Sequence, residues 1–206
     1  MAAFPGIFIL SEESRSVGDE TADALFLVDP LDGTKEFLKR NGEFTVNIAL
    51  VHGVPVAGVV YAPALGELFY AALGLGAWIK IAGSLAQSLK VAPWLPTEPL
   101  RVIGSRSHGG DKLAAWLTTL SYLHSFVAAG SSLKFCRIAQ GQVDIYPRFG
   151  PTSQWDTAAA QCVLAVAGGT VQDLVGSPLQ YGLQRPLLNP EFVAMGDKAT
   201  LSSATQ

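Results

Sequence analysis

The sequence predicts an α/β protein, an α+β layered sandwich in which an antiparallel sheet half (residues 1–92) is followed by an α/β half (residues 93–206). Three observations carry this. Residues 44–51 and 54–61 are two β-branched-rich runs separated only by His52 and Gly53, the pattern of a hairpin. Pro93, Pro96 and Pro99 then break the rhythm and mark the boundary between the halves. Beyond them strand-like runs alternate with helix-like segments, which indicates an α/β half.

Each element has its own local reason. Residues 5–10 read as a core strand, and the apolar residues 25–28, with turn formers behind them, read as a buried strand that ends at Asp29. Residues 34–39 can start a short helix. Residues 67–71 and 77–81 extend the antiparallel sheet begun by the hairpin. In the second half, residues 101–103 form a strand, 111–120 a helix, the neighbourhood of Phe126 a strand, 131–140 a helix and 143–146 a strand. The last helix covers residues 156–167, packs through Ala, Leu and Val, and stops at Gly168 and Gly169.

Composition bounds the function. With 206 residues, 49% of them hydrophobic and 15% charged, the chain can bury a substantial core and should be mostly ordered. A net charge of -3 without a basic stripe argues against a polymeric nucleic-acid partner, so any nucleotide bound should be small. Cys136 and Cys162 lie in apolar helix-like segments and read as buried free thiols of a reducing compartment. The first ten residues lack the basic start of an export signal, and no run of about 18 apolar residues offers a membrane span. Cytoplasm is the expected location.

The chemistry concentrates in DPLDGTKEF, residues 29–37. Asp29 falls at a strand end and Asp32 in the turn after it, so two carboxylates converge. Gly33 lets the backbone approach a ligand closely, and the helix start at Thr34 turns its positive end toward an anion. Asp-Pro or Asp-Gly alone would read as a turn. Together, with Thr34 behind and Glu12-Glu13 ahead, they suit Mg²⁺ bridging to a phosphate. Other positions speak more softly. Asp156, in the first turn of its helix, reads by itself as a cap. Ser131 and Lys134 are spaced to share one face near a helix start, a phosphate grip. Arg148 offers a planar fork for bidentate phosphate contact, and His108 reads as a loop residue with a solvated ring.

The strings ILSEES, FLVDPLDGTKEFLKRNGEFTVNIALV, GSSLKFC, YPRFGPT and WDTAAAQCVLAVAGG occur in this order, from the stretch around Ser11 to Gly169. Together they resemble the inositol monophosphatase-like superfamily of metal-dependent, lithium-sensitive phosphatases. KEF after DGT, followed by NGEFTVNIALV, resembles its 3'(2'),5'-bisphosphate nucleotidase branch. The resemblance implies an inositol monophosphatase/sugar phosphatase-like fold and hydrolysis of the 3'-phosphate of adenosine 3',5'-bisphosphate to AMP and phosphate. That reaction clears a by-product of sulfate activation. It also implies that Glu12, Asp29, Asp32, Asp156 and the Leu31 carbonyl hold Mg²⁺, and that Glu12 and Thr34 activate a water. The amides of Gly33 and Thr34 would hold the phosphoryl group. Ser131, Lys134 and Arg148 would contact the nucleotide and its second phosphate, with Leu31, Asp32 and Asp156 also beside the substrate. A homodimer and a peripheral hold on the inner membrane are compatible with it.

Members of the superfamily carry a helical segment ahead of the strand that precedes SEE, with a further acidic and a basic residue near the metals. This chain starts ten residues before Ser11, so it is expected to be shorter than its working form. Restoring the upstream segment is expected to raise both thermal midpoint and Mg²⁺-dependent turnover. Two other readings compete, an inositol or other sugar monophosphatase and a catalytically weak nucleotide-binding fragment.

Overall fold

The computed structural model describes residues 7–13, 18–106 and 110–197. Its first half is a seven-stranded sheet in chain order, from β1 (Phe8–Ser11) and β2 (Leu25–Asp32), paired in parallel, through β3 (Thr45–His52) and β4 (Val54–Ala62) to β5 (Glu67–Ala72), β6 (Gly76–Ile81) and the two-residue β7 (Gln87–Ser88). From β2 onward every pairing is antiparallel. The short helix α1 (Thr34–Leu38) follows β2, as its sequence suggested. The β3–β4 turn consists of Gly53 alone, at φ 70, a left-handed geometry that glycine adopts without strain.

The second sheet has the order β11-β12-β10-β8-β9. β8 (Leu100–Ser105) leads through α2 (Gly110–Thr118) to β9 (His124–Ala129), and α3 (Leu133–Ala139) leads to β10 (Ile145–Arg148); both β9 and β10 lie parallel to β8. α4 (Gln154–Val166) precedes β11 (Thr170–Asp173), and β12 (Phe192–Met195) runs antiparallel to both its neighbours. Three strands lie outside the expected set: β7, β11 and β12. The expected helix at 131–140 is shorter, because Ser131 takes a left-handed φ of 47 and Ser132 is the cap residue.

One core joins the halves. Leu27, Val60 and Phe69 of the first sheet, Leu133 and Ile138 of α3, Ala160 and Val163 of α4, and Tyr146 and Phe192 of the second sheet belong to a single buried cluster. A smaller cluster, with Leu100, Val102 and Ile145, packs the far face of the second sheet against Trp116 and Leu117 of α2. The layers are therefore sheet, helices, sheet, helix. The outer face of the first sheet leaves Ile48, Val59 and Tyr61 exposed. Cys136 and Cys162 are buried free thiols.

α4 reaches the first sheet closely because it brings the small residues Ala159 and Cys162 to Gly58 of β4. A Cβ on Gly58 would stand 2.4 Å from the Ala159 carbonyl oxygen and 2.9 Å from Cys162 Cβ. Gly58→Ala is therefore expected to destabilise the protein by about 1–3 kcal/mol, the usual cost of overpacking, measured by chemical denaturation. An unchanged midpoint would mean that α4 rides freely on the sheet.

Candidate active site

The site begins with a bulge. Asp29 pairs with Asn47 and Asp32 with Thr45, so three steps along β2 match two along β3. A regular strand would send residues three apart to opposite faces; the extra residue brings both carboxylates to one side. Pro30, which has no N–H to donate, suits this irregular stretch. The strand thus runs through Asp32, beyond the end expected at Asp29.

The two aspartates are held differently. Asp29 is 1% exposed; its Oδ1 accepts the Leu31 amide at 2.9 Å, while its Oδ2 is buried without a hydrogen-bond partner. Asp32 Oδ2 accepts from the Ser132 amide at 2.6 Å, the Asn47 side-chain amide at 3.2 Å and the Thr45 hydroxyl at 3.3 Å. Asp32 therefore ties the first sheet to the start of α3. Thr34 Oγ1 donates to the Leu31 carbonyl at 3.5 Å. Gly33, at φ 89, has Glu43 O and Ser131 Cβ at 3.2 and 3.3 Å from where a side chain would begin, so only glycine fits.

Asp156 comes to this place from the other half. It is the third residue of α4, where its Oδ2 accepts the Ser153 amide at 2.7 Å in a capping box. The cap reading holds, and Asp156 also stands with Asp29 and Glu12. One carboxylate oxygen from each of the three lies within 4.8 Å of the other two. Glu12 is placed by its amide, which donates to Val28 O at 3.2 Å and continues the β1–β2 pairing.

Burial and close like charges both resist ionisation of these carboxylates. Burial, then the neighbouring Asp32, push the Asp29 carboxyl far above the usual carboxylate range. Burial and Asp32 push Asp156 to about 7. Burial also raises Asp32, against the pull of Lys134. An all-oxygen cluster with an orphaned buried acceptor and surplus negative charge fits a hard divalent cation. This is a candidate acidic metal site.

A pH dependence follows for the metal-free protein. Folded Asp29 and Asp156 keep protons that the unfolded chain sheds near the ordinary carboxylate pKa. Between that range and neutrality the folded state binds more protons, so stability falls as pH rises. The thermal midpoint in EDTA is expected to drop between about pH 5 and about pH 8, and to drop less in Asp29→Asn. Identical slopes in the two proteins would mean that Asp29 carries no raised pKa.

Beside the cluster opens a cleft of about 260 Å³, lined by Asp32, Gly33, Thr34, Ser131, Lys134, Arg148 and Asp156. Glu12, Asp29 and Leu31 do not line it but belong to the adjoining carboxylate group and its loop. Lys134 is 4% exposed; its ammonium donates to Ser131 O at 2.5 Å and Ala129 O at 3.4 Å, and burial lowers its pKa to about 8. Arg148 is 8% exposed, with Nε and Nη2 donating to the carbonyls of Gly150 and Pro151 at 3.1 and 2.8 Å. Its fork is thus partly committed to its own loop. Ser131 and Lys134 meet in the cleft through the left-handed turn at Ser131 and not by sharing a helical face. His108 lies outside the described residues.

Several residues here escaped the sequence reading. Thr45 and Asn47 read as ordinary strand residues, yet they are 0% and 1% exposed and hold Asp32; an alternation of buried polar side chains beside DPLDGT was the available signal. Glu36 and Tyr146 also line the cleft. Glu43 accepts the Gly130 amide at 2.9 Å and pairs with Arg106 at 2.8 Å, joining the α1–β3 connection to two loops of the second half.

A bulged strand, an acidic cluster and a helix brought in from the second half make up the candidate site, and the comparisons give the fold its family. Residues 1–204 match the inositol monophosphatase family, and the chain belongs to it. It is 50% identical over 191 residues to the 3'(2'),5'-bisphosphate nucleotidase CysQ of Salmonella typhimurium, covering 91% of this chain and 75% of the relative. The CysQ of Escherichia coli strain K12 is 49% identical over the same shares. Among solved structures, CysQ from Bacteroides thetaiotaomicron superposes with a TM-score of 0.82 at 37% identity, over all of this chain and 78% of that one. An inositol monophosphatase from Anabaena gives 0.74 at 28% identity, over 96% of this chain and 79% of that one. Among the described residues no helix is long and apolar enough to cross a membrane.

Proposed function

We propose that the chain is a Mg²⁺-dependent 3'(2'),5'-bisphosphate nucleotidase that hydrolyses the 3'-phosphate of adenosine 3',5'-bisphosphate, giving AMP and phosphate. The observation that carries the reading is the mixed charge of the cleft lining. The carboxylates Asp32 and Asp156 and two nearly buried cations, Lys134 and Arg148, line the same space. The carboxylates suit a cation bound to a reacting phosphate; the cations suit a second phosphate. The identity of about half with nucleotidases supports the same assignment.

Glu12, Asp29, Asp32, Asp156 and the Leu31 carbonyl would hold Mg²⁺, which supplies Lewis acidity toward the phosphoryl oxygens and acidifies a bound water. The chain's own residues do the rest. Glu12 and Thr34 orient the attacking water and the Glu12 carboxylate takes up its proton, while the Gly33 and Thr34 amides face the phosphoryl oxygens where negative charge builds. Ser131, Lys134 and Arg148 orient the nucleotide through its second phosphate, and Asp156 and Asp32 border the reacting end. In this reading residues 1–92 contribute the metal loop, and residues 93–206 the substrate groups and the last carboxylate.

Phosphate release from adenosine 3',5'-bisphosphate and from inositol 1-phosphate, compared side by side with Mg²⁺, tests it. Faster use of the nucleotide is expected. Preference for the inositol ester would make the chain a sugar monophosphatase, and no release from either would leave a nucleotide-binding fragment.

A further inference from the structure

Glu36 is a buried acid that the mechanism above does not use. It is the third residue of α1, two past Thr34, is 8% exposed, and lines the cleft. Its side chain is wedged between two glycines. A Cβ on Gly130 would lie 2.4 Å from Glu36 Cγ, and one on Gly33 would lie 3.5 Å from Oε2. Among the described residues no hydrogen bond or ion pair engages its carboxylate. Lys134 and Arg106 are near enough to feel its charge without pairing with it.

An ionised carboxylate at the wall of a cleft can only accept hydrogen bonds, and once a ligand displaces its water it is left, at a cost, without a donor. It also repels phosphate. In a cleft built for a doubly phosphorylated molecule it therefore calls for a neutral donor on the ligand. If the reacting phosphate rests against Gly33 and Thr34, the nearest such donor is the hydroxyl on the neighbouring sugar carbon. The base amine is much farther from the reacting end.

We propose that Glu36 accepts a hydrogen bond from the sugar hydroxyl vicinal to the reacting phosphate, the 2'-hydroxyl when the 3'-phosphate is cleaved, and so selects ribonucleotides over deoxyribonucleotides. This rests on the nucleotidase reading and adds a specificity residue to it. The relatives are 3'(2') nucleotidases, and whichever of the two positions carries the phosphate, a hydroxyl stands on the other. One acceptor beside the reacting group serves both.

The test compares kcat/KM and equilibrium binding of adenosine 3',5'-bisphosphate with its 2'-deoxy counterpart, in the wild type, Glu36→Gln and Glu36→Ala. The wild type is expected to favour the ribonucleotide by about ten- to a hundredfold, the size of a hydrogen bond to a charged group. The ratio is expected to fall toward one in Glu36→Ala and partway in Glu36→Gln, which keeps a neutral acceptor. Removing the hydroxyl from the ligand leaves the protein intact, so the wild-type ratio stands even if a variant folds poorly. Equal use of both nucleotides by the wild type, or a ratio unchanged in Glu36→Ala, overturns the proposal, because a merely structural Glu36 would lower both substrates together. A wild type that neither binds nor cleaves either nucleotide overturns the nucleotidase reading and this inference with it.

Discussion

Asp29→Asn is expected to lower the turnover of phosphate release about a thousandfold or more, while the metal-free protein melts no lower than the wild type near pH 8. A cation that stabilises transition-state charge contributes several kcal/mol, and each ~1.4 kcal/mol is a factor of ten. Asparagine keeps the acceptor for the Leu31 amide but replaces the orphaned Oδ2, the buried atom without a partner, with an N–H₂ that cannot ligate a cation. Without metal the same change removes like-charge repulsion from a cluster whose oxygens lie within 4.8 Å. Initial rates across a Mg²⁺ titration and melting in EDTA give the two readouts. Near-normal turnover at saturating Mg²⁺ would remove Asp29 from the metal set. Asp32→Asn is a less clean test. Asp32 is more than a loop carboxylate, since it receives three hydrogen bonds from β3 and the start of α3, and its loss would loosen the junction of the halves as well as the site.

Lys134→Ala and Arg148→Ala are each expected to cut kcat/KM on the bisphosphate nucleotide about ten- to a hundredfold more than on a simple monophosphate ester, since a hydrogen bond to a charged group is worth about 1.5–3 kcal/mol. Both variants should also melt earlier, because each side chain donates to two backbone carbonyls that would lose their partner. The informative quantity is therefore the ratio between substrates and not the rate on either. Equal losses on both would assign these cations to the fold or to the reacting phosphate.

What the sequence made legible was local. Strand, turn, glycine and helix start follow one another in residues 25–38, so the convergence of Asp29 and Asp32 could be read from adjacent letters, although the bulge that aligns them could not. The hairpin at Gly53 was legible for the same reason. β11 and β12 were not, because four residues are too few to display an alternation and their pairing is fixed by partners far along the chain. Ser131 misled because spacing says nothing of a left-handed residue that delays the helix. Glu36 was hidden by its surroundings, since an acid beside a lysine in a first helical turn looks like a solvated face. The approach of Gly130, from the other half, helps to enclose it.

The place of β12 has a consequence for synthesis. It is the last of the described strands along the chain, yet it lies between β11 and β10, in the interior of the second sheet. A ribosome that has released β8 through β11 has made every carboxylate of the metal cluster, but the sheet beside them still has a vacant slot. The 18 residues 174–191 must emerge before Phe192–Met195 can fill it. At ~5–20 residues per second this is roughly one to four seconds during which two strand edges stand open. Phe192 also lines the cleft. The growing polypeptide is therefore expected to complete this cleft only once Phe192–Met195 has emerged, and its most aggregation-prone interval to come just before that.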